Sequence, residues 1–386
     1  MSPDPLSTSR LNRLLILLPG TRFGGTERHG ADLAVGLASR GIAVTLAADP
    51  GLLAAWPAAL PMPPVLPAAI GWDEAQTAEA NAARQAAALV ALLPGVAPDA
   101  VLISAPWPNA GLGLQQALVS TSLPRILLLH LAADGPAPEG IVAMRQMLGL
   151  DATILAAVSA PVARRGAQLF GVAEGSVVVL HNPAPPATKL DRATARHEIR
   201  RTLGLPHEAP VLLFLGRLEE AKGADLLPDI GDRLPVTIAI AGDGMLRGLL
   251  DARARADPRG LLRVLGPVAD PTRWLVGADA LLLPSRMEGA PLVFLEAAAS
   301  RCPVIATAAA MEALGENAHW VARIVEEPDA TLLAAAAADI LANPVGARAM
   351  VDAAAAHAAW RSPNMALDDT LGLLRAAMLH AILRLT

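Results

Sequence analysis

The chain of 386 residues has one cysteine, no tyrosine and few other aromatic residues. A single thiol excludes an intramolecular disulfide and a thiolate metal cluster. Cys302 sits in an apolar stretch, where a buried packing role is expected. The absent tyrosine accompanies abundant alanine and reports coding bias only. No run of about eighteen strongly apolar residues occurs, so the hydrophobic content of 53% predicts a soluble chain without membrane spans. Nor do a charged segment, an apolar core and a small-residue cleavage site open the chain. A cytoplasmic location is expected, with Met1–Ser9 as a frayed tail. Net charge is only −5 and the cations are scattered, which predicts no general attraction to nucleic acid. Asp-x-Asp is absent, as is any tandem repeat of solenoid length.

What the sequence does have is a repeated alternation. Short apolar runs rich in β-branched residues alternate with helical patterns, the signature of βαβ units and parallel sheets. One series of strands is expected near Leu14–Leu18, Ala43–Ala47, Ala100–Ile103, Arg125–Leu129, Thr153–Val158 and Val177–Leu180. A second is expected near Val211–Leu215, Val236–Ala241, Leu262–Leu265, Ala280–Leu283, Val304–Ala306 and Val321–Val325. Helices are expected over Thr26–Arg40, with Leu33, Ala34, Leu37 and Ala38 on one stripe, and over Asp73–Leu93. The proline-rich stretch Asn182–Ala187 can continue neither a helix nor a central strand and reads as an interdomain linker. Trp56–Pro67 reads as an irregular surface loop. The expected fold is therefore α/β, with two Rossmann-like domains whose parallel sheets face a cleft. Ligands in such sheets bind beyond the carboxyl ends of the strands.

Candidate chemistry gathers at those ends. After the first strand, Gly24 and Gly25 let backbone amides approach an anion beside a helix start, although a tight turn explains them equally. Arg217 and Lys222, on the loop opened by Gly216, can set two positive charges against a diphosphate; two solvated surface cations are the alternative. Gly242-Asp-Gly244 suits a close ligand but is also ordinary turn chemistry. Glu288 lies on a loop before a helix on which Pro291 is expected as a first-turn residue. The amides of Gly289, Ala290 and Leu292 would then offer donors to a diphosphate or a sugar. Glu296 follows inside an almost wholly apolar helix, where an unpaired acid is expensive; Leu292, Leu295 and Ala299 are its expected packing face. His130 ends an apolar strand, as a donor to a sugar hydroxyl or as a satisfied core histidine.

In this order, the Gly24–Glu27 loop, Gly216–Gly223, Gly242–Gly244 and Glu288-x7-Glu296 resemble the retaining glycosyltransferases of family 4, which have GT-B architecture. The resemblance spans nearly the whole chain. It implies a hexosyl-type transferase that uses a nucleoside diphosphate sugar as co-substrate, with no other cofactor. The first domain (1–183, rejoined by 363–386) would bind the acceptor, and the second (184–362) the donor. Arg217 and Lys222 would contact the diphosphate, Glu296 the ribose, and Glu288 with the following amides the donor sugar. Gly25 would approach phosphate or acceptor, and His130 would lie beside the transferred sugar. With Asp-x-Asp missing and two cations available, metal independence is expected.

The last helix would return to the first domain on a stripe of Leu367, Leu371, Leu374, Met378, Ile382 and Leu385. The weaker alternative is a peripheral membrane helix, since only Arg375, His380 and Arg384 supply positive charge. Arg301 stands where the family usually has glycine. A left-handed residue there costs energy for arginine, so a different helix ending is expected. Thr307–Glu312 lacks the family's glycines, while Glu312 matches a family acid. A glycan, a lipid-linked sugar or a small molecule all remain open as acceptors. A nucleotide-sugar epimerase and a non-catalytic sugar-nucleotide-binding partner of another transferase are the competing functions.

Overall fold

The computed structural model describes residues 11–57, 60–150 and 153–383, without the side chains of 149, 150, 382 and 383. The tail expected at Met1–Ser9, residues Arg384 and Leu385, and the side chain of Ile382 therefore lie outside the described residues. The chain forms two compact units. One runs to Asn182 and resumes at Asn364, and the other is Pro183–Pro363.

The first unit holds a seven-stranded sheet of β1 (Arg13–Leu18), β2 (Ala43–Ala48), β3 (Val65–Pro67), β4 (Ala100–Ala105), β5 (Arg125–Leu129), β6 (Thr153–Ala157) and β7 (Val178–Val179). The second holds six strands, β8 (Val211–Leu215), β9 (Thr237–Ala241), β10 (Leu262–Gly266), β11 (Ala280–Leu283), β12 (Val304–Thr307) and β13 (Arg323–Val325). Pairing is parallel throughout, in the orders β3-β2-β1-β4-β5-β6-β7 and β10-β9-β8-β11-β12-β13. Strands covered by helices on both faces read as continuous apolar runs, and Leu14–Leu18 are each 0% exposed. In each sheet the chain first winds outward from β1 or β8 and then returns to the other side at β4 or β11. The winding reverses between β1 and β4, and between β8 and β11, and a crevice opens at such a reversal.

Several local expectations change. Trp56–Pro67 is not wholly irregular, because Val65–Pro67 pairs with Leu46–Ala48 as an edge strand. Only three residues long and ending in proline, it carries too little pattern to be read as a strand. The helix expected from Asp73 starts at Ala78, where Thr77 caps it through Oγ1. On the helix Gly25–Ser39, Ala38 is exposed, and Gly30 joins Leu33, Ala34 and Leu37 on the buried stripe. Val321 ends a short helix, and its strand starts at Arg323. Cys302 is buried, with its thiol pushed up to about 12 by desolvation, as a packing residue should be.

The final helix, Pro363–Leu383, belongs to the first unit. Leu367 lies so close to Gly36 that a Cβ there would meet its Cδ2 at 2.7 Å, and Arg40 pairs with Asp368. Leu367, Leu371, Leu374 and Met378 are buried within the unit, so their stripe is not a membrane face. Among the described residues no single helix is long and apolar enough to cross a membrane.

Arg301 does adopt the left-handed conformation, at φ 57°, contrary to the ending expected from its side chain. Its amide donates to Ala298 O and that of Cys302 to Ala297 O, so two carbonyls at the helix end are satisfied. A surface pair with Asp352 offsets part of the strain. Among the described residues Ala97 is the other non-glycine residue with positive φ, at 44°, and its methyl side chain can form no such pair. Ala97→Gly should therefore stabilise the first unit by roughly 0.5–1 kcal/mol. The check is a higher midpoint in urea denaturation; a lower one would show that the left-handed cap is unstrained.

Candidate active site

The loop after β1 leads into the helix Gly25–Ser39. Glu27 folds back on it, and the Gly24 amide donates to Glu27 Oε2 at 2.9 Å. A Cβ on Gly20 would meet Glu27 Oε1 at 2.0 Å, which leaves glycine as the residue that fits. The Gly24 amide is thus not open to an anion as the sequence suggested. Gly25, exposed at the helix start, keeps that position. The spacing Gly24-x-x-Glu27 is the capping-box spacing, a signal present in the sequence.

One turn further on, His29 is buried and its ring meets that of His130 edge to face, with centroids 5.2 Å apart. His130 directly follows β5, its amide donates to Ala105 O, and its Nε2 lies 2.9 Å from Ser104 Oγ on β4. Its 8% exposure and this bond fit a core histidine, and it stands at the strand's carboxyl end. Desolvation pushes His29 down to about 4, and burial followed by the neighbouring His29 holds His130 well below the ordinary imidazole range.

This burial makes stability depend on pH. Above pH 6.5 a neutral His29 contributes nothing, because folded and unfolded chains agree. Between pH 6.5 and about 4 the unfolded chain takes a proton that the folded one refuses, so stability falls as the pH falls. The loss for His29 approaches roughly 3 kcal/mol below that window. In urea titrations from pH 7 to 4.5, His29→Phe should show a shallower decline than the parent. Parallel curves would mean that His29 titrates alike in both states.

In the second unit, three loops at strand carboxyl ends are stacked backbone to backbone. The amides of Gly216 and Leu218 donate to Ala241 O and Asp243 O. At Gly242, φ is 138° and a Cβ would stand 1.9 Å from Gly216 O; at Gly244, φ is 156° and the distance to Leu218 O is 2.6 Å. Gly223 similarly presses on Pro284 O, at 2.1 Å. The glycines of Gly242-Asp-Gly244 are therefore required by loop stacking, beyond an ordinary turn.

Stacking brings together side chains remote in sequence. Lys222 Nζ donates to Glu288 Oε1 at 2.7 Å, and Ser285 Oγ donates to the same oxygen at 2.9 Å. Ser285 is itself fixed by Thr307, whose hydroxyl donates to Ser285 O at 2.5 Å. Lys222 and Glu288 side chains are 21% and 12% exposed, enough to be reached from solvent. Arg217 pairs with Glu219 at 3.0 Å, so the two cations expected to face a diphosphate each already hold a carboxylate. Arg286 grips Asp225 with two bonds of 2.7 Å and anchors the Glu288 loop.

Pro291 is the residue before the helix Leu292–Ala299, with ψ 117°, rather than part of its first turn. Gly289 is buried, and Ala290, Leu292 and Glu296 are half-buried. Phe294, Leu295, Ala297, Ala298 and Ala299 are its buried residues; Leu292, expected on the packing face, is not fully covered. His29, Ser104 and Ser285 carry no sequence signal, since each acquires its place only through the sheets. No group of three or more metal-ligating side chains is found among the described residues.

Two family models match the chain, Glycosyltransferase Family 4 over residues 23–187 and Glycosyl transferases group 1 over 209–343. A curated relative, D-inositol 3-phosphate glycosyltransferase 1 of Catenulispora acidiphila, is 30% identical over 289 residues, covering 70% of this chain and 68% of that protein. Three further relatives described as D-inositol 3-phosphate glycosyltransferases are matched over less than half of their own length. Among solved structures, Anabaena HepE in complex with UDP-glucose superposes with a TM-score of 0.73 at 20% identity, covering 94% of this chain and 99% of that one. The sucrose-phosphate synthase of Thermosynechococcus elongatus gives 0.73 at 17% identity, over 95% and 99%.

Proposed function

Since this chain belongs to the family 4 glycosyltransferases of GT-B type, we propose that it transfers a sugar from a nucleoside diphosphate sugar to a hydroxyl acceptor, with retention and without a metal ion. The observation that carries this reading is the Lys222–Glu288 pair at the reversal between β8 and β11. A cation there can neutralise charge on a departing diphosphate, with Arg217 as the second and more exposed contributor. Glu288 sits next to that cation and, with the backbone at Gly289, Ala290 and Leu292, holds the donor sugar. Glu296 accepts hydrogen bonds from the ribose hydroxyls. Gly216, Gly242 and Gly244 shape the floor on which the nucleotide lies.

In this scheme the acceptor oxygen attacks the anomeric carbon from the face that the diphosphate leaves. The carbon–oxygen bond to phosphate breaks as the new one forms, and the departing phosphate oxygen takes the acceptor proton. His130 donates to a hydroxyl of the transferred sugar, and Gly25 borders the acceptor. The complex of HepE with UDP-glucose supports a uridine donor. The description of the Catenulispora relative supports a phosphorylated cyclitol as the first acceptor to try. No nucleic acid enters the reaction, and a cytoplasmic location fits these substrates.

The test is incubation with a panel of nucleoside diphosphate sugars and inositol phosphate in the presence of EDTA. Acceptor-dependent release of nucleoside diphosphate, with the anomeric configuration kept, is expected. Epimerised donor without release would replace this reading by an isomerase, and binding without either by a non-catalytic partner. Glu296→Ala should weaken UDP binding by about 10–100-fold, as loss of charged hydrogen bonds does. Unchanged affinity in calorimetry would remove Glu296 from the ribose site.

A further inference from the structure

Resting on the reading of His130 as the sugar contact, we propose that Ser104 is a positioning residue that fixes His130 as the neutral imidazole bearing its proton on Nδ1. Ser104 lies on β4, beside the reversal of the first sheet, and is 0% exposed. Among the described residues its hydroxyl has one hydrogen-bond partner, His130 Nε2 at 2.9 Å. That single bond has two possible directions. If Nε2 carried the proton, the serine hydrogen would be left buried with no acceptor, and orphaned buried donors are rarer and costlier than under-used acceptors. The hydroxyl therefore donates, Nε2 keeps its lone pair, and the ring proton resides on Nδ1.

A doubly protonated ring would fail on the same ground and would add a charge at a nearly dry position. Burial and the neighbouring His29 already push His130 toward its neutral form. The His29 ring, standing at 66° to that of His130, also closes one side of it and resists a flip that would exchange the two nitrogens. The consequence is a directed donor. Ser104 occupies Nε2, so the atom left for a ligand is an N–H, which pairs with a sugar hydroxyl oxygen and rejects groups that only donate.

Nitrogen-15 NMR of the imidazoles in the parent protein at neutral pH tests this without turnover. Nδ1 of His130 should resonate as a protonated nitrogen and Nε2 as an unprotonated one. The reverse assignment, or an imidazolium, overturns the inference. Ser104→Ala should mix the two tautomers and lower kcat about 3–10-fold with KM nearly unchanged, and Ser104→Thr, which restores the hydroxyl, should recover both signals. A Ser104→Ala protein with the parent's tautomer and kcat would also overturn it. Should His130→Ala transfer sugar at the parental rate, the sugar-contact reading itself fails, whatever the tautomer.

Discussion

Lys222→Ala should lower kcat/KM by about 10²–10³-fold, the loss typical of removing one preorganised donor from developing negative charge. Two effects act in the same direction. The cation proposed to neutralise the leaving diphosphate disappears, and Glu288, which it had held at 2.7 Å, keeps among the described residues only the Ser285 hydroxyl. An unneutralised carboxylate would then face the proposed diphosphate donor across a partly dry surface. Lys222→Arg should restore little, because a planar fork cannot occupy the place of a compact ammonium held by one carboxylate oxygen. Arg217→Ala should cost less, since Arg217 is 41% exposed and already paired with Glu219. Steady-state kinetics with the preferred donor decide the matter. A Lys222→Ala enzyme within twofold of the parent would remove this residue from the chemistry.

Asp279→Ala should destabilise the second unit by about 3–5 kcal/mol, the effect of leaving a buried charge without its partner. Asp279 precedes β11 and receives the Val211 amide at 2.8 Å, Arg200 Nη2 at 2.6 Å and the guanidinium of Arg196. Arg200 is 1% exposed and also donates to Ala209 O and Gly277 O, so removal of the acid strands a nearly dry cation. Solvent offers little screening there. For a unit of this size each kcal/mol shifts the melting temperature by about 2–4 °C, so a fall of roughly 6–20 °C is expected by calorimetry. The network joins the amino ends of β8 and β11, while Lys222 and Glu288 lie beyond their carboxyl ends. Turnover at a temperature where the variant is folded should stay close to the parent's. A shift under about 2 °C would show that the network is not tied to folding.

The sequence and the structure agree where the information is local. Apolar runs such as Leu14–Leu18 and Leu281–Leu283 announce buried parallel strands because no polar residue interrupts them. Glycines at 216, 242 and 244 mark the loops, though their reason is visible only once two strand ends lie side by side. The Lys222–Glu288 pair links residues 66 positions apart, and nothing short of the β8–β11 pairing predicts it. His29 and Ser104 fall under the same limit. Arg301 shows the opposite failure, since its chemistry argues against a left-handed ending that the surrounding chain imposes anyway.

The stacking of glycine loops has a practical corollary for anyone wishing to alter the proposed donor site. A side chain at 223, 242 or 244 would collide with main-chain oxygen, which cannot swing aside as a side chain can. Diversified libraries should leave these three positions fixed. The better place to randomise is Met245, next to the last of them and 73% exposed, where side-chain variety leaves the underlying scaffold intact.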